Sequence, residues 1–532
     1  MRKKFILSIF IILISEIIFY FKWIQGLWSL LFFGPYILIG TYDLLQTSHA
    51  ILRNFPFFGW GRYIMEILRP KIYQYFIESD IDGRPIGRIF RSLVYQRAKG
   101  DISTTPFGTQ LDVNEAGYEW MNHSINAKNM EDLSSDLRIN VGNERCKQKY
   151  NASILNISAM SFGSLSKNAI EALNKGAKLD NFAHNTGEGG ISPSHLKHNG
   201  DLIWQIGTGY FGCRDKNGNF DENNFKKNAL KYSVKMIEIK LSQGAKPGHG
   251  GILPAAKNTK EISLIRGVEP HTDIISPPFH TTFSNPIELI KFIEKLRVLS
   301  NGKPIGFKLC VGNKIEFISI CKAMIKLNIY PDFITVDGGE GGTGAAPLEY
   351  SNSIGMPLSD GLSFVSDMLI GFDIKKHIKI IASGKIITGF NIVRNIALGA
   401  DMVNSARAMM MALGCIQALE CNKNICPTGI ATQNPELTVG LVVKDKAKRV
   451  ENYHRETVHS VIDLLSATGH NTLNGLSRYD INRRINAMEV KRFDEIYNPI
   501  KAGSFINGEI PENIKEEFTM ASESSFNPLK SN

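Results

Sequence analysis

Residues 333–344 read Phe-Ile-Thr-Val-Asp-Gly-Gly-Glu-Gly-Gly-Thr-Gly, a short β-favouring run closed by a carboxylate and followed by a glycine-rich loop. A run of that length, bounded by glycine, suits a buried strand, and the loop after it lets backbone approach a ligand closely. The same order recurs along the middle of the chain. Candidate strands fall at Ile154–Ala159, Asn181–His184, Met236–Leu241, Thr272–Ile275, Ile305–Cys310, Phe333–Val336, Ile378–Ile381 and Met402–Asn404. Each precedes a glycine-rich or polar turn, and most precede a helix-compatible stretch, the pattern of parallel strands joined by crossover helices. Eight such units fit an α/β fold, a (β/α)8 TIM barrel over residues 151–435. Residues 202–214 read as an extra hairpin between the second and third units.

In such a barrel the loops after the strands form the active face. Here they are Ser158–Ser164, His184–Gly190, Ser242–Gly251, Ser276–Pro278, Asp337–Gly344 and Ala382–Lys385. Any one of these glycine clusters is explained by an ordinary turn. Five on one rim point to a flat ring and a phosphate held by backbone. A phosphate site formed after the seventh and eighth strands would use Ser383, Gly384 and Lys385 with Ala406 and Arg407.

The chain has 532 residues and a formal charge of +10, with 61 basic and 51 acidic side chains. This balance favours acidic substrates or an anionic surface, and without a basic run interleaved with aromatics it does not point to nucleic acid. The N-terminus is different material. Phe5 to Phe21 is interrupted only by Ser8, Ser15 and Glu16, and a second apolar run spans Leu27–Gly40. We read residues 1–45 as a membrane anchor of one or two transmembrane helices, with Trp23, Trp28 and Tyr36 near the interfaces. A cleaved signal peptide is the rival, disfavoured because no small-x-small site follows. Basic residues at positions 2–4 and from Arg53 onward place the catalytic part on the cytoplasmic side. Residues 46–150 are expected to be a lead-in covering the barrel, and 436–532 a helical C-terminal extension whose last twenty-odd residues form a frayed, flexible tail.

Three of the seven cysteines crowd into Cys415-x5-Cys421-x4-Cys426-Pro427. Close thiolates with a trailing proline suit an iron–sulfur cluster. Zinc is the rival, but it needs a fourth ligand, and the next candidates, His454 and His459, come only well downstream. The isolated Cys146, Cys213, Cys310 and Cys321 read as packed core thiols.

Taken together, Ser158–Ser166, His184–Gly190, Gln243–Pro254, Ile275–Phe279, Asp337–Pro347, Ala382–Lys385 and Cys415–Gln433 resemble the FMN-binding domain of glutamate synthase. The likeness is greatest to stand-alone family members that carry N-terminal membrane segments. It implies an oxidoreductase acting on CH–NH2 donors. Electrons would pass from a [3Fe-4S] cluster on Cys415, Cys421 and Cys426 to FMN, then as hydride to 2-iminoglutarate made from 2-oxoglutarate and ammonia. By motif, Ser158, Ala159, Met160, Ser161 and Lys308 would contact the isoalloxazine, with Asn185 and Glu188 beside it. Gln243 and Asp337, which open two of the matching stretches, would join the cofactor contacts. Gly338, Gly339, Gly384 and Arg407 would hold ribityl or phosphate, with Lys385 and Ala406 nearby. Lys246 and Arg266 would grip the diacid, acting with Glu188 as the catalytic set. Two cations, one a planar fork, are what a five-carbon diacid needs.

The sequence departs from the family in three ways. Met1 is followed by Arg2, not by a processed cysteine nucleophile; no glutaminase or dinucleotide unit is visible; and His249 stands where glutamate is usual. Ammonia is therefore expected free or from a separate glutaminase subunit, and electrons from ferredoxin or a flavoprotein. Two other functions fit the same motifs. One is an N-alkylglutamate synthase using an amine, the other a membrane FMN and iron–sulfur electron-transfer module without amination.

Overall fold

Eight strands close, in chain order, into a parallel barrel: β1 Leu155–Ile157, β2 His184–Asn185, β3 Leu202–Ile206, β4 Val234–Lys240, β5 Ile305–Leu309, β6 Phe333–Asp337, β7 Lys379–Ser383 and β8 Met402–Ser405. Every residue of β3, β5 and β6 is buried, as expected of strands covered by helices outside and packed against one another inside. The sequence sets the helix starts through capping. Ser166 accepts from Ala169 N at the head of Lys167–Leu179, Asn285 from Glu288 N before Pro286–Leu299, and Thr388 from Asn391 N before Gly389–Ala397. The computed structural model describes residues 1–529. Its two compact units are Met1–Arg88 and the chain from Ile89 onward.

Two expected elements change places. Leu202–Ile206, read as part of an extra hairpin, is β3, so the strand at Met236 is the fourth rather than the third. Gln205 disguised it: its amide turns inward to Glu238, 2.5 Å away, a polar residue required by the barrel interior. Thr272–Ile275 is not a barrel strand. Only Ile274–Ile275 is extended, paired antiparallel with Ile252–Leu253 in the long excursion after β4.

At the bottom of the barrel, the hairpin of Arg138–Val141 and Tyr150–Ser153 precedes β1, and Asn143 N donates to Asp332 Oδ1 at 2.8 Å. Asp332 is fully buried and also paired with Arg297 at 3.1 Å. The helix Val443–Thr468 packs on Lys167–Leu179 and Gly389–Ala397. Its His454 stacks on Phe182 and hydrogen-bonds Asp180 at 2.6 Å, a packing role that occupies a residue considered as a fourth zinc ligand. Part of the C-terminal stretch contacts the helix Lys314–Leu327: Lys322 Nζ donates to Phe518 O and Ala521 O, and Ser522 N donates to Ser319 Oγ. Residues 530–532 of the tail expected to fray lie outside the described residues.

In the first unit, Arg2–Lys22 and Ile24–Leu45 are long and apolar enough to cross a membrane. Glu16, the charged interruption, is buried and accepts a hydrogen bond from Ser29 Oγ.

Candidate active site at the barrel mouth

Strand alternation decides which side chains point into the barrel, and near the C-terminal rim they are polar. Asn185, Gln205, Glu238, Lys240, Lys308, Thr335, Asp337 and Ser383 are all buried. Glu238 sits at the centre of the lower layer, accepting from Asn185 Nδ2 at 2.9 Å, Gln205 Nε2 at 2.5 Å and Thr335 Oγ1 at 2.6 Å. Above it, Lys308 pairs with Asp337 at 3.0 Å, and the loop after β4 clamps the same carboxylate through Gly244 N at 2.9 Å. Burial works to strip the Lys308 proton, but Asp337 and Glu238 outweigh it and hold the ammonium above its ordinary range.

A second charged group forms beside this one. Glu188, in the turn after β2, pairs with Lys240 at 2.9 Å. Burial pushes its carboxyl upward, and Lys240, Arg266 and Lys246 together more than reverse that, leaving it below the ordinary glutamate range. Gly207 and Gly251 flank it so closely that a Cβ at either position would collide with its carboxylate. Lys246 is buried and pulled down to about 8 by desolvation and by Lys240, with Glu188 pushing back. Arg266 is likewise buried and lowered to about 10, chiefly by desolvation. Its Nη2 donates to Phe162 O at 2.9 Å, its guanidinium lies 5.0 Å over the Phe211 ring, and its Nε is buried with no hydrogen-bond partner among the described residues. Lys240 thus contacts Glu188 directly, while Lys246 and Arg266 lie near enough to favour its charged form, giving this desolvated group three cations to one carboxylate.

The flavin and phosphate candidates gather on the opposite arc. Ser158 Oγ lies 3.2 Å from Ser383 Oγ, joining the loops after β1 and β7. Ala159, Met160 and Ser161 continue the first of these loops, and Gly187 is appressed to Ser161 N. Gly338 N donates to Ser383 O and Gly339 N to Met356 O, each at 2.8 Å. Gly384 has φ +143° and Lys385 φ +47°, and Lys385 is exposed at this turn. Arg407, which follows Ala406 at the end of β8, donates from Nη2 to Glu340 O at 2.6 Å, and Gly342 packs against its stem. Gln243 stands half-buried next to the Gly244 clamp. Asn185 lies apart from this arc, its amide committed to Glu238 and to Gly187 N. These loops fit a flat, polar-edged ring with a phosphate tail. Lys308 offers a held positive charge at the barrel axis, and the Asn404 Oδ1 acceptor on β8 is buried and unpartnered among the described residues.

Residues 112–471, more than half of the chain, match the family profile described as a conserved region in glutamate synthase. The chain belongs to the glutamate synthase family. The glutamate synthase large subunit-like protein YerD of Bacillus subtilis (strain 168) is 37% identical over 470 residues, 81% of this chain and 89% of that protein. The archaeal glutamate synthase [NADPH] of Methanocaldococcus jannaschii is 35% identical over 323 residues, and the large chain of glutamate synthase [NADPH] of B. subtilis is 33% identical over 321. The matched regions are 60% and 20% of those two proteins. A solved mandelate oxidase aligns with 81% of this chain at 12% identity and a TM-score of 0.42, too loosely to assign residues. The protein is a glutamate synthase-like oxidoreductase built on a TIM barrel.

In this family member the cysteine loop is tied to the first rim loop. Gln433 Nε2 donates to Gly163 O and Leu165 O, both at 2.9 Å, and Ser166 N donates to Ile430 O at 2.8 Å. Cys415, Cys421 and Cys426 feel one another's charge. Burial raises the Cys415 thiol to about 11 and raises Cys421 as well. Cys426 is the exception: burial opposes ionisation, yet the Thr428 hydroxyl and the backbone N–H groups of Ala431, Thr428 and Ile430 lower it below the ordinary thiol range. Among the described residues no three His, Cys, Asp or Glu side chains converge on a single metal ion. The four remaining cysteines are buried, as expected of core thiols.

Three charged residues of this site, Glu238, Lys240 and Lys257, escaped the sequence reading. Lys240 follows Glu238 at period two on β4, in the stretch Met236–Lys240 whose other residues are apolar, the signal that had marked Lys308 on β5. Lys257 is buried beside the cysteine loop, where Asn424 Nδ2 bonds Ala256 O at 3.1 Å. Its ammonium donates to Ser164 O at 2.9 Å; burial lowers it to about 8, and Cys421 and Cys426 push it back up. Nothing in its local sequence distinguishes it.

Proposed function

We propose that this enzyme reduces an imine of a 2-oxoglutarate-like diacid to the amino acid, giving L-glutamate when the nitrogen comes from ammonia. The observation that carries this reading is the convergence of Lys240, Lys246 and Arg266 on Glu188. Buried charge is tolerated when it is matched, and a dicarboxylate would neutralise the surplus left by three cations and one carboxylate. Arg266 brings an unpartnered buried Nε to that match. Its planar fork suits one carboxylate, and Lys246 suits the other as a point charge.

Bound FMN would supply the two electrons for reducing the imine carbon. The chain's own residues do the rest. Lys308, kept charged by Asp337, presents its ammonium where the flavin ring's polar edge would lie and favours negative charge there. Ser158, Ser383, Gly338, Gly384 and Arg407 bound the place for ribityl and phosphate. Glu188, kept ionised by Lys240, can accept a hydrogen bond from the substrate nitrogen and orient a cationic iminium. The desolvated walls strengthen each of these interactions.

Cys415, Cys421 and Cys426 would hold a [3Fe-4S] cluster delivering electrons to the barrel mouth. The N–H donors turned toward the Cys426 sulfur and the buried Lys257 ammonium both support this, since each stabilises negative charge on cluster ligands. Electrons would come from a ferredoxin or flavoprotein, and ammonia in solution or from a separate glutaminase subunit. Residues 1–45 would tether the enzyme, with its barrel on the cytoplasmic side of the membrane.

The test is product mass. Reduced, reconstituted enzyme incubated with 2-oxoglutarate and ammonia should form glutamate. A product appearing only with methylamine would reassign the nitrogen donor, and no product with either, together with no flavin perturbation by 2-oxoglutarate, would leave electron transfer as the function.

A further inference from the structure

The helix Trp60–Ile72 runs directly into a π-helical turn, Tyr73–Ile77, and no residue of either is buried. At helical periodicity, Trp60, Ile64, Met65, Leu68, Ile72 and Phe76 fall on one side, while Arg62, Glu66 and Arg69 fall on the other. Phe76 is 85% exposed and Met65 61%, and water-soluble surfaces seldom leave a contiguous stripe of this kind uncovered.

Two observations say what covers it. The first is continuity with the candidate spans. Asp43, near the end of Ile24–Leu45, is fully buried and accepts from Phe57 N at 2.9 Å and from the Trp60 indole at 3.1 Å, fixing the turn that leads from that span into the amphipathic helix. The second is charge. Between Arg53 and Ile77 the basic residues are Arg53, Arg62, Arg69 and Lys71, against Glu66 alone, and Glu66 is already paired with Arg62 at 2.7 Å. Trp60, Tyr63, Tyr73 and Tyr75 add the aromatic residues that favour the headgroup level.

We propose that residues 60–77 lie in the plane of an anionic bilayer surface, with the Ile64–Leu68–Ile72 stripe among the upper acyl chains and Arg62 and Arg69 at the lipid phosphates. A polar face bearing Arg opposite a Trp, Ile and Phe face is the composition of such interfacial helices. Lys71, which falls within the apolar arc, reaches the headgroups by extending its stem. The proposal rests on membrane insertion of residues 1–45, and the experiment separates the two.

The full chain is reconstituted into vesicles of phosphatidylcholine with or without phosphatidylglycerol, carrying photoreactive benzoylphenylalanine at Leu13, Leu68 or Glu66. Lipid adducts are counted by mass spectrometry. The expected result is adducts at Leu13 in both lipids, adducts at Leu68 in the anionic vesicles, and their loss at Glu66. The double substitution Arg62→Glu with Arg69→Glu should abolish the Leu68 adducts and leave those at Leu13. Adducts at Leu13 with Leu68 no higher than Glu66 would overturn the in-plane helix while keeping the spans. Leu68 adducts indifferent to lipid charge would overturn the anionic preference. No adducts at Leu13 would overturn membrane insertion, and the in-plane helix with it.

Discussion

Replacing Lys246 by methionine keeps a flexible apolar stem of similar length and removes one of the three cations facing Glu188. Lys246 is buried, so the methionine has room without opening a cavity to water, and the change is mainly electrostatic. Truncating one partner of a buried charged contact costs about 2–5 kcal/mol. Taking about 3 kcal/mol, with 1.4 kcal/mol for each factor of ten, the Kd for 2-oxoglutarate should rise roughly 100-fold. The same residue predicts a pH dependence. Its ammonium is charged below about 8 and neutral above it, so binding should be strong at low pH and weaken as pH rises through that value. Between pH 7 and 9 its charged fraction falls about tenfold, and the wild-type Kd should rise by a similar factor. The assay is equilibrium titration of the flavin absorption spectrum with 2-oxoglutarate across that range, with flavin content measured in parallel. Methionine protein that binds FMN normally and 2-oxoglutarate as tightly as wild type would refute the assignment, as would a pH dependence unchanged by the substitution.

Cys421→Ser should abolish the low-temperature paramagnetic signal of an oxidised three-iron cluster while FMN stays bound; wild-type protein containing zinc and no iron would rule out the cluster. Lys257→Gln removes the buried cation beside Cys421 and Cys426, so the cluster's midpoint potential in a spectroscopic redox titration should fall, while Lys257→Arg should hold it near wild type. A potential unmoved by the glutamine would show that Lys257 does not act on the cluster. Arg297→Met leaves Asp332 buried without its ion pair, so urea denaturation should show a loss of about 3–5 kcal/mol; a loss under 1 kcal/mol would mean that the backbone donors Asn143 N and Ile305 N suffice to hold the carboxylate.

Much of the barrel was legible because strands covered on both faces are written as largely apolar runs, as in Phe333–Val336 and Ile305–Cys310, where one inward polar residue, Thr335 or Lys308, left the pattern readable. The reading failed where that signal was diluted or imitated. Leu202–Ile206 carries Gln205, which serves the interior carboxylate Glu238, and Thr272–Ile275 is β-branched yet pairs only with Ile252–Leu253. The cysteine loop and the glycine loops were visible as spacing, because each concentrates one residue type at short intervals that a local reading can detect.

The sequence by itself determined that strand-and-loop units follow one another in tandem, that two apolar stretches head the chain, and that three thiols stand close together. These are properties of nearest neighbours and short periods. Only the tertiary structure decided that Lys240, Lys246 and Arg266 meet at Glu188, that Asp337 holds Lys308 in its charged form, and that Lys257 stands beside Cys421 and Cys426. Residues from separate rim loops and strands become neighbours when the barrel closes. The charge state of each is then set by burial and by partners distant in sequence, which no local pattern encodes.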